Sequence, residues 1–231
     1  MWSRWVVEAG EPITQLACDG VMPVWVAKAR GVPLNLGFRR TLAFRPTSHS
    51  RLSYRVPLVG WSKSDIEPPM KLGKGRSEPS PEARESYISR MLRHGAITAV
   101  VRLHMGINPG VWDSLAVRSS RRLGQGRRWA KENWERLKPV ARPDAEWWYR
   151  DNNRFASPFA IEIDTSSQVV ELMGQRIEKW LRLYAGVRWV VLSEARAKSI
   201  YELGLGLEVE VYVLSRWWEP GGELKIWMGN T

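Results

Sequence analysis

A mixed α/β fold is predicted by three features of this 231-residue chain. The segment Phe159-Ala160-Ile161-Glu162-Ile163-Asp164 alternates as a strand does, and helical spacing follows from about Ser166 to Tyr184. A second apolar strand, Val187 to Leu192, is followed by Ser193 as a helix cap. Upstream, Pro81-Glu82 opens a long helix to about Met105, with a proline and an acid suited to its first turn.

At the N-terminal end, residues 12–31 read as a helix-turn-helix candidate. Ile13, Leu16 and Ala17 form a short apolar stripe and Cys18-Asp19-Gly20 breaks it. Val24, Val26 and Ala27 begin another, which Gly31-Val32-Pro33 ends. Leu36 to Phe44 and Leu52 to Leu58 read as paired strands. Residues 1–61 are therefore expected to form a winged-helix-like DNA-binding region, with Arg39, Arg40, Arg45, Arg51 and Arg55 on the wing. Two short helices and a hairpin are equally a common structural unit.

Residues 62–80 read as a basic linker, carrying Pro68-Pro69, Pro79, Lys71, Lys74 and Arg76, with too little apolar content to pack. Residues 81–126 hold the bridging helix and a basic loop. Tyr87, Met91, His94, Ile97 and Val101 lie at helical spacing, and His94 on that stripe reads as a hydrogen-bonded packing residue rather than a ligand. The loop contains Arg118, Arg121, Arg122, Arg127 and Arg128 among Ser and Gly, either a solvated charge run or a grip on a nucleic-acid backbone. Residues 127–231 hold the core of the α/β fold. There Ala145, Trp147 and Tyr149 alternate with Glu146, Trp148 and Arg150, and two further strands run from Leu207 to Leu214 and from Leu224 to Met228.

Composition narrows the function. The single cysteine excludes an intramolecular disulfide framework or a cysteine-based zinc site and fits a reducing, cytoplasmic setting. No apolar run approaches membrane-span length, so no membrane partner is expected. The formal charge of +11 is lopsided: residues 1–142 hold 25 Lys/Arg against 11 Asp/Glu, and residues 143–231 hold 10 against 13. A basic half facing a polyanion, DNA above all, is the reading this supports. Fourteen tryptophans include the pairs Trp147-Trp148 and Trp217-Trp218. Adjacent rings on a strand point to opposite faces; packing on a second apolar face or a dimer contact is favoured over stacking on bases.

The chemistry centres on acids. Alternation puts Phe159, Ile161 and Ile163 on one face of their strand and Ala160, Glu162 and Asp164 on the other. Asp144, at the head of the neighbouring strand, is placed to join them. Gathered carboxylates repel unless a cation lies between them, and Mg²⁺ or Mn²⁺ on oxygen ligands is the usual occupant. Asp144, Glu162 and Asp164 are thus the metal candidates, and removing one acid, as in Asp144→Asn, is expected to stabilise the metal-free protein. An acid on a solvent face and a Pro-Asp turn are the plain alternatives.

At Pro143-Asp144 and Glu162-x-Asp164 the chain resembles the PD-(D/E)xK nuclease superfamily. More narrowly it resembles the replication-relaxation proteins of bacterial plasmids and mobile elements, through Arg142-Pro143-Asp144, the acid-x-acid strand, the helix reaching Tyr184, and Trp189 to Glu194. Upstream, His94 with Ala99-Val100-Val101-Arg102-Leu103, and Trp129-Ala130-Lys131-Glu132, fit the same order. The resemblance implies a restriction-endonuclease-like mixed sheet flanked by helices after a degenerate winged-helix-like region. It implies Glu132 as a first acid of the site. The chain departs from the family at Gln168, where a lysine is usual; Lys179 is a distant substitute. Two functions follow: a Mg²⁺- or Mn²⁺-dependent DNA endonuclease of a plasmid, phage or mobile-element system, or a non-catalytic DNA-binding accessory or replication-control protein. DNA, other replication or mobilisation proteins and a second copy of the chain are the partners implied.

Overall fold

The computed structural model describes residues 12–46, 50–70, 78–114, 143–148, 150–151, 154–155, 158–165, 169–204 and 208–229. It begins with helix α1 (Pro12–Asp19), strand β1 (Val21–Pro23), helix α2 (Val24–Ala29) and the hairpin β2 (Phe38–Phe44) and β3 (Tyr54–Gly60). The expected pair of helices is therefore interrupted by a strand. Val21, Met22 and Pro23 are all buried and pair antiparallel with Leu58, Val59 and Gly60, giving a sheet of order β1-β3-β2. So short a strand has no periodicity to betray it. The stop after α2 falls where the sequence puts it, at Gly31, whose φ of +67° suits glycine.

The head of the expected linker is folded. Ser62 N–H donates to Asp65 Oδ2 at 2.8 Å, a reciprocal cap that starts α3 (Lys63–Ile66) and buries Ile66. Helix α4 (Pro81–His104) follows, with Ser80 capping Ala83 N–H and Pro81 in its first turn. Ile88 and Leu92 bury one face, whereas every residue from Ala96 to Arg102 is buried, because this half of α4 packs against both β1 and β8. A Cβ on Gly95 would meet Val21 Cγ1 at 2.6 Å, so β1 can lie on the helix only where the side chain is absent.

The larger sheet contains β4 (Trp112–Ser114), β5 (Ala145–Trp147), β8 (Phe159–Asp164), β9 (Gly186–Val191), β10 (Val209–Ser215) and β11 (Glu223–Ile226). Its order is β11-β10-β9-β8-β5-β4, while β6 (Arg150–Asp151) and β7 (Arg154–Phe155) form a separate small hairpin. Strands β8, β9 and β10 are parallel, so each crossover needs a helix: α5 (Val170–Leu181) and α6 (Glu194–Leu203). Strand β5 pairs antiparallel with β8, as expected for neighbouring acid-bearing strands, and β4 pairs with β5. The fold is thus α/β, a six-stranded mixed sheet flanked by helices.

Alternation along β8 holds. Ile161 and Ile163 join the core that contains Ile97, Val100, Leu16 and Met22, and Ala160 joins the second core beneath α5 and α6. Helical spacing alone would equally bury Val169 and Leu172, yet they are exposed at 57% and 59%. Met173, Ile177 and Trp180 are buried instead, the i, i+4, i+7 stripe that faces the sheet. The helix also starts later and ends earlier than its periodicity suggests.

Both tryptophan pairs are engaged in packing. Trp217 and Trp218 close on Phe44 at 4.7 and 5.4 Å and Trp218 on Tyr54 at 4.8 Å, tying the end of β10 to the β2–β3 hairpin. Trp148 is buried and Trp147 lies 5.5 Å from Phe159. Among the described residues no helix is long and apolar enough to cross a membrane.

Candidate functional site

Strand pairing brings the acids together. Ala145 is registered against Ile161, so the preceding residue, Asp144, comes opposite Glu162. Asp144 Oδ2 accepts the Ile163 N–H at 2.8 Å, which locks the carboxylate at the end of β5. Its Oδ1 lies 2.7 Å from His94 Nε2, carried in from the middle of α4. Burial and then the Asp144 charge push the Glu162 carboxyl well above its ordinary pKa, and the Asp144–Glu162 hydrogen bond acts in the same sense against a weaker pull from Arg176. The neutral form of Glu162 is thereby favoured over its carboxylate.

Two arginines complete the cluster. Arg176, between Met173 and Ile177 on the buried side of α5, donates through Nη1 to Glu162 Oε1 at 2.6 Å. Arg196, in the first turn of α6, donates through Nε to Asp164 Oδ2 at 2.8 Å, and its Nη2 lies 3.2 Å from Met173 Sδ. Ser193 sets that turn by accepting the Arg196 N–H. His94 faces two opposing influences. Burial alone lowers its pKa, but the hydrogen bond and charge of Asp144, with Asp164 behind it, raise it above the ordinary 6.5.

Of the acids expected at the site, Asp144, Glu162 and Asp164 gather around this cluster, each against a basic side chain. Glu132 and Gln168 lie outside the described residues, as do Lys71, Lys74, Arg76, Arg118, Arg121, Arg122, Arg127 and Arg128. Lys179 is exposed; the nearby cations are Arg176 and Arg196. Sequence reasoning missed both arginines. The signal for Arg176 was a basic residue within the Met173–Ile177–Trp180 stripe; for Arg196 it was the position three residues past the Ser193 cap. Also missed was Glu146, fully buried on β5, whose Oε1 accepts from Tyr184 OH at 2.9 Å and explains the placement of that tyrosine.

The two arginines expected to face DNA on β2 differ. Arg39 is exposed and donates to the Leu34 carbonyl. Arg40 is engaged by Glu85 of α4 through bonds of 2.7 and 2.8 Å. Arg45, Arg51 and Arg55 are exposed around the same hairpin.

Among the described residues no group of three or more His, Cys, Asp and Glu side chains is arranged to hold a metal ion. Asp144 and Glu162 are the residues that would hold a divalent cation such as Mg²⁺, which commonly takes one or two carboxylates and keeps several waters. A divalent cation there would meet carboxylate oxygens from two adjacent strands. Compared with family models, curated proteins and solved structures, the chain matches none.

Proposed function

We propose that this chain is a DNA-binding protein of a plasmid, phage or mobile-element system, with a restriction-endonuclease-like core in which Asp144 and Glu162 take one Mg²⁺ or Mn²⁺. The observation that carries the reading is the convergence of these two carboxyls, on adjacent strands, into one hydrogen bond. The succession α4, antiparallel β4-β5-β8, α5 and parallel β9 supports it, with the acids at the head of the second of those strands and near the end of the third. The order α1, β1, α2, β2, β3, with β3 pairing back onto β1, supports the winged-helix-like reading of the N-terminal region.

Asp144 and Glu162 would hold the cation, which would supply polarisation of a phosphoryl oxygen and a bound water of lowered pKa. The chain's own residues do the rest. His94 and the Ile163 N–H fix Asp144, while Arg176 and Arg196 supply the positive charge that Gln168 does not. The exposed arginines of the β2–β3 hairpin and the +14 half of the chain provide affinity for phosphates.

A specific observation favours a second reading, a non-catalytic binder or replication-control protein acting with other replication or mobilisation proteins. Asp144, Glu162 and Asp164 each have a basic side chain as partner already, in His94, Arg176 and Arg196. Melting curves with Mg²⁺ or Mn²⁺, and cleavage assays on single- and double-stranded DNA, separate the two. The catalytic reading expects an ion-dependent rise in Tm and cleavage by wild type or by Gln168→Lys, both abolished in Glu162→Gln. No shift and no cleavage by either protein leaves the non-catalytic binder, and absence of DNA binding removes both.

A further inference from the structure

Strand β11 is the outer strand of the six-stranded sheet: β10 covers one of its edges, and among the described residues no strand covers the other. Trp227 N–H donates to Val211 C=O at 2.7 Å. Antiparallel strands turn alternate residues toward the partner, so Lys225 and Glu223 also face β10, opposite Val213 and Ser215. Leu224 and Ile226 then turn their N–H and C=O groups outward, to the uncovered edge. Beside them Ile226 is 52% and Met228 75% exposed.

We propose that this edge pairs with the same edge of a second copy of the chain, antiparallel about Leu224, to extend the sheet across a two-fold axis. Charge selects the occupant and the register. A lysine alone on an edge strand repels another copy. Here Lys225 has Glu223 two residues away on the same side, 2.6 Å from it, with both side chains exposed. Centring on Leu224 sets Glu223 of each copy opposite Lys225 of the other, two reciprocal opposite-charge pairs at the close, non-hydrogen-bonded spacing. Centring on Lys225 sets lysine against lysine, and centring on Ile226 sets Lys225 against Trp227. The two-fold copy is self-complementary only in the first register.

The main-chain groups agree with that choice. Leu224 N–H meets the Leu224 C=O of the other copy in both directions, and Ile226 N–H meets the partner's Gly222 C=O. Gly222 N–H is already engaged by the Glu219 carbonyl at 3.1 Å, so it takes no part. Pairing along one short strand covers less surface than a standard interface, so the dimer is weak and concentration-dependent.

Sedimentation equilibrium of the full chain over a wide concentration range tests this. Wild type is expected to move from monomer toward dimer as concentration rises. Ile226→Pro removes an outward N–H and an exposed side chain without touching a bond to β10, and is expected to weaken dimerisation at least about tenfold. Lys225→Glu sets like charges across the axis and is expected to do the same, while the exchange Glu223→Lys with Lys225→Glu restores it. Melting curves show that each variant is folded. A wild type that stays monomeric throughout, or a dimer indifferent to Ile226→Pro and Lys225→Glu, overturns the proposal. A dimer lost in Lys225→Glu and not recovered by the exchange overturns the register.

Discussion

Glu162 and Asp144 share a hydrogen bond across the β5–β8 pair, while Asp144 also accepts from the Ile163 N–H and stands 2.7 Å from His94. The two acids are therefore not equivalent, and this changes which substitution relieves the site. Asp144 is the acceptor at the centre, so Asp144→Asn breaks its contacts and is expected to destabilise by about 1–3 kcal/mol, the cost of leaving buried donors unpaired. That reverses the expectation drawn from repulsion alone. Glu162→Gln keeps a donor toward Asp144 and an acceptor for Arg176, and removes the carboxyl that burial disfavours. It is expected to fall within about 1 kcal/mol of wild type without metal, and to show no Mg²⁺-dependent shift. Urea melts of both variants, with and without the ion, check the pair.

Both perturbed groups at the site shift stability with pH in one direction. Glu162 and His94 have folded-state pKa values above their ordinary 4.5 and 6.5. The folded protein therefore binds more protons than the unfolded chain above those ordinary values. Stability is fullest below them and falls as pH rises through the raised ones. Urea midpoints measured from about pH 5 to about pH 9 should decline toward the alkaline end. Glu162→Gln should remove the part that begins at lower pH and leave the His94 part. A midpoint that rises across the window in wild type contradicts the assignment of protons.

The sequence carried the strands and helix starts well because each rests on a local signal. Alternation marks β8, an apolar run interrupted only by Arg188 marks β9, Ser80-Pro81-Glu82 marks the start of α4, and Ser193 that of α6. The buried face of α5 was not legible. Val169, Leu172, Met173, Ile177, Trp180 and Leu181 fit two helical phases, and only the sheet beneath chooses the one containing Met173 and Trp180. The acids could be named because they cluster in sequence. Their arginines could not, because Arg176 is 14 residues from Glu162 and Arg196 is 32 from Asp164, and pairing at that range depends on the crossovers.

The junction of α1 with α4 rests on a buried ion pair that no local pattern announces. Arg102 Nε and Nη2 donate to the two Asp19 oxygens at 2.7 and 2.6 Å, Nη1 to the Ile107 carbonyl at 3.1 Å, and Nη2 also to Gln15 Oε1 at 2.8 Å. Both side chains are fully buried. Removing one partner leaves an uncompensated charge in the core, so Asp19→Ala or Arg102→Ala is expected to cost about 3–5 kcal/mol. The double variant Asp19→Leu with Arg102→Met should recover much of that loss, since apolar replacement of both charges avoids the penalty. Denaturant midpoints of the three proteins measure the coupling.

Neighbouring arginines on β2 give the DNA proposal its sharpest test. Arg39 is exposed, whereas Arg40 is bonded through Nη2 to both Glu85 oxygens at 2.8 and 2.7 Å and belongs to the packing of β2 on α4. Phosphate contacts release condensed counterions, so each one lost should flatten the log–log salt dependence of binding by about 0.9. Neutralising Arg39, Arg45, Arg51 and Arg55 together should flatten the slope by up to about four such steps while leaving the melting temperature near wild type. Arg40→Gln should do the opposite: little change in slope, and a loss of stability of roughly 0.2–1 kcal/mol, the range for a largely exposed pair. Neutralising Arg118, Arg121, Arg122, Arg127 and Arg128 in a separate variant asks whether that loop adds contacts of its own. DNA titrations at several salt concentrations read all three. A slope unchanged in both multiple variants removes these arginines from the interface, whatever the acids of β5 and β8 do.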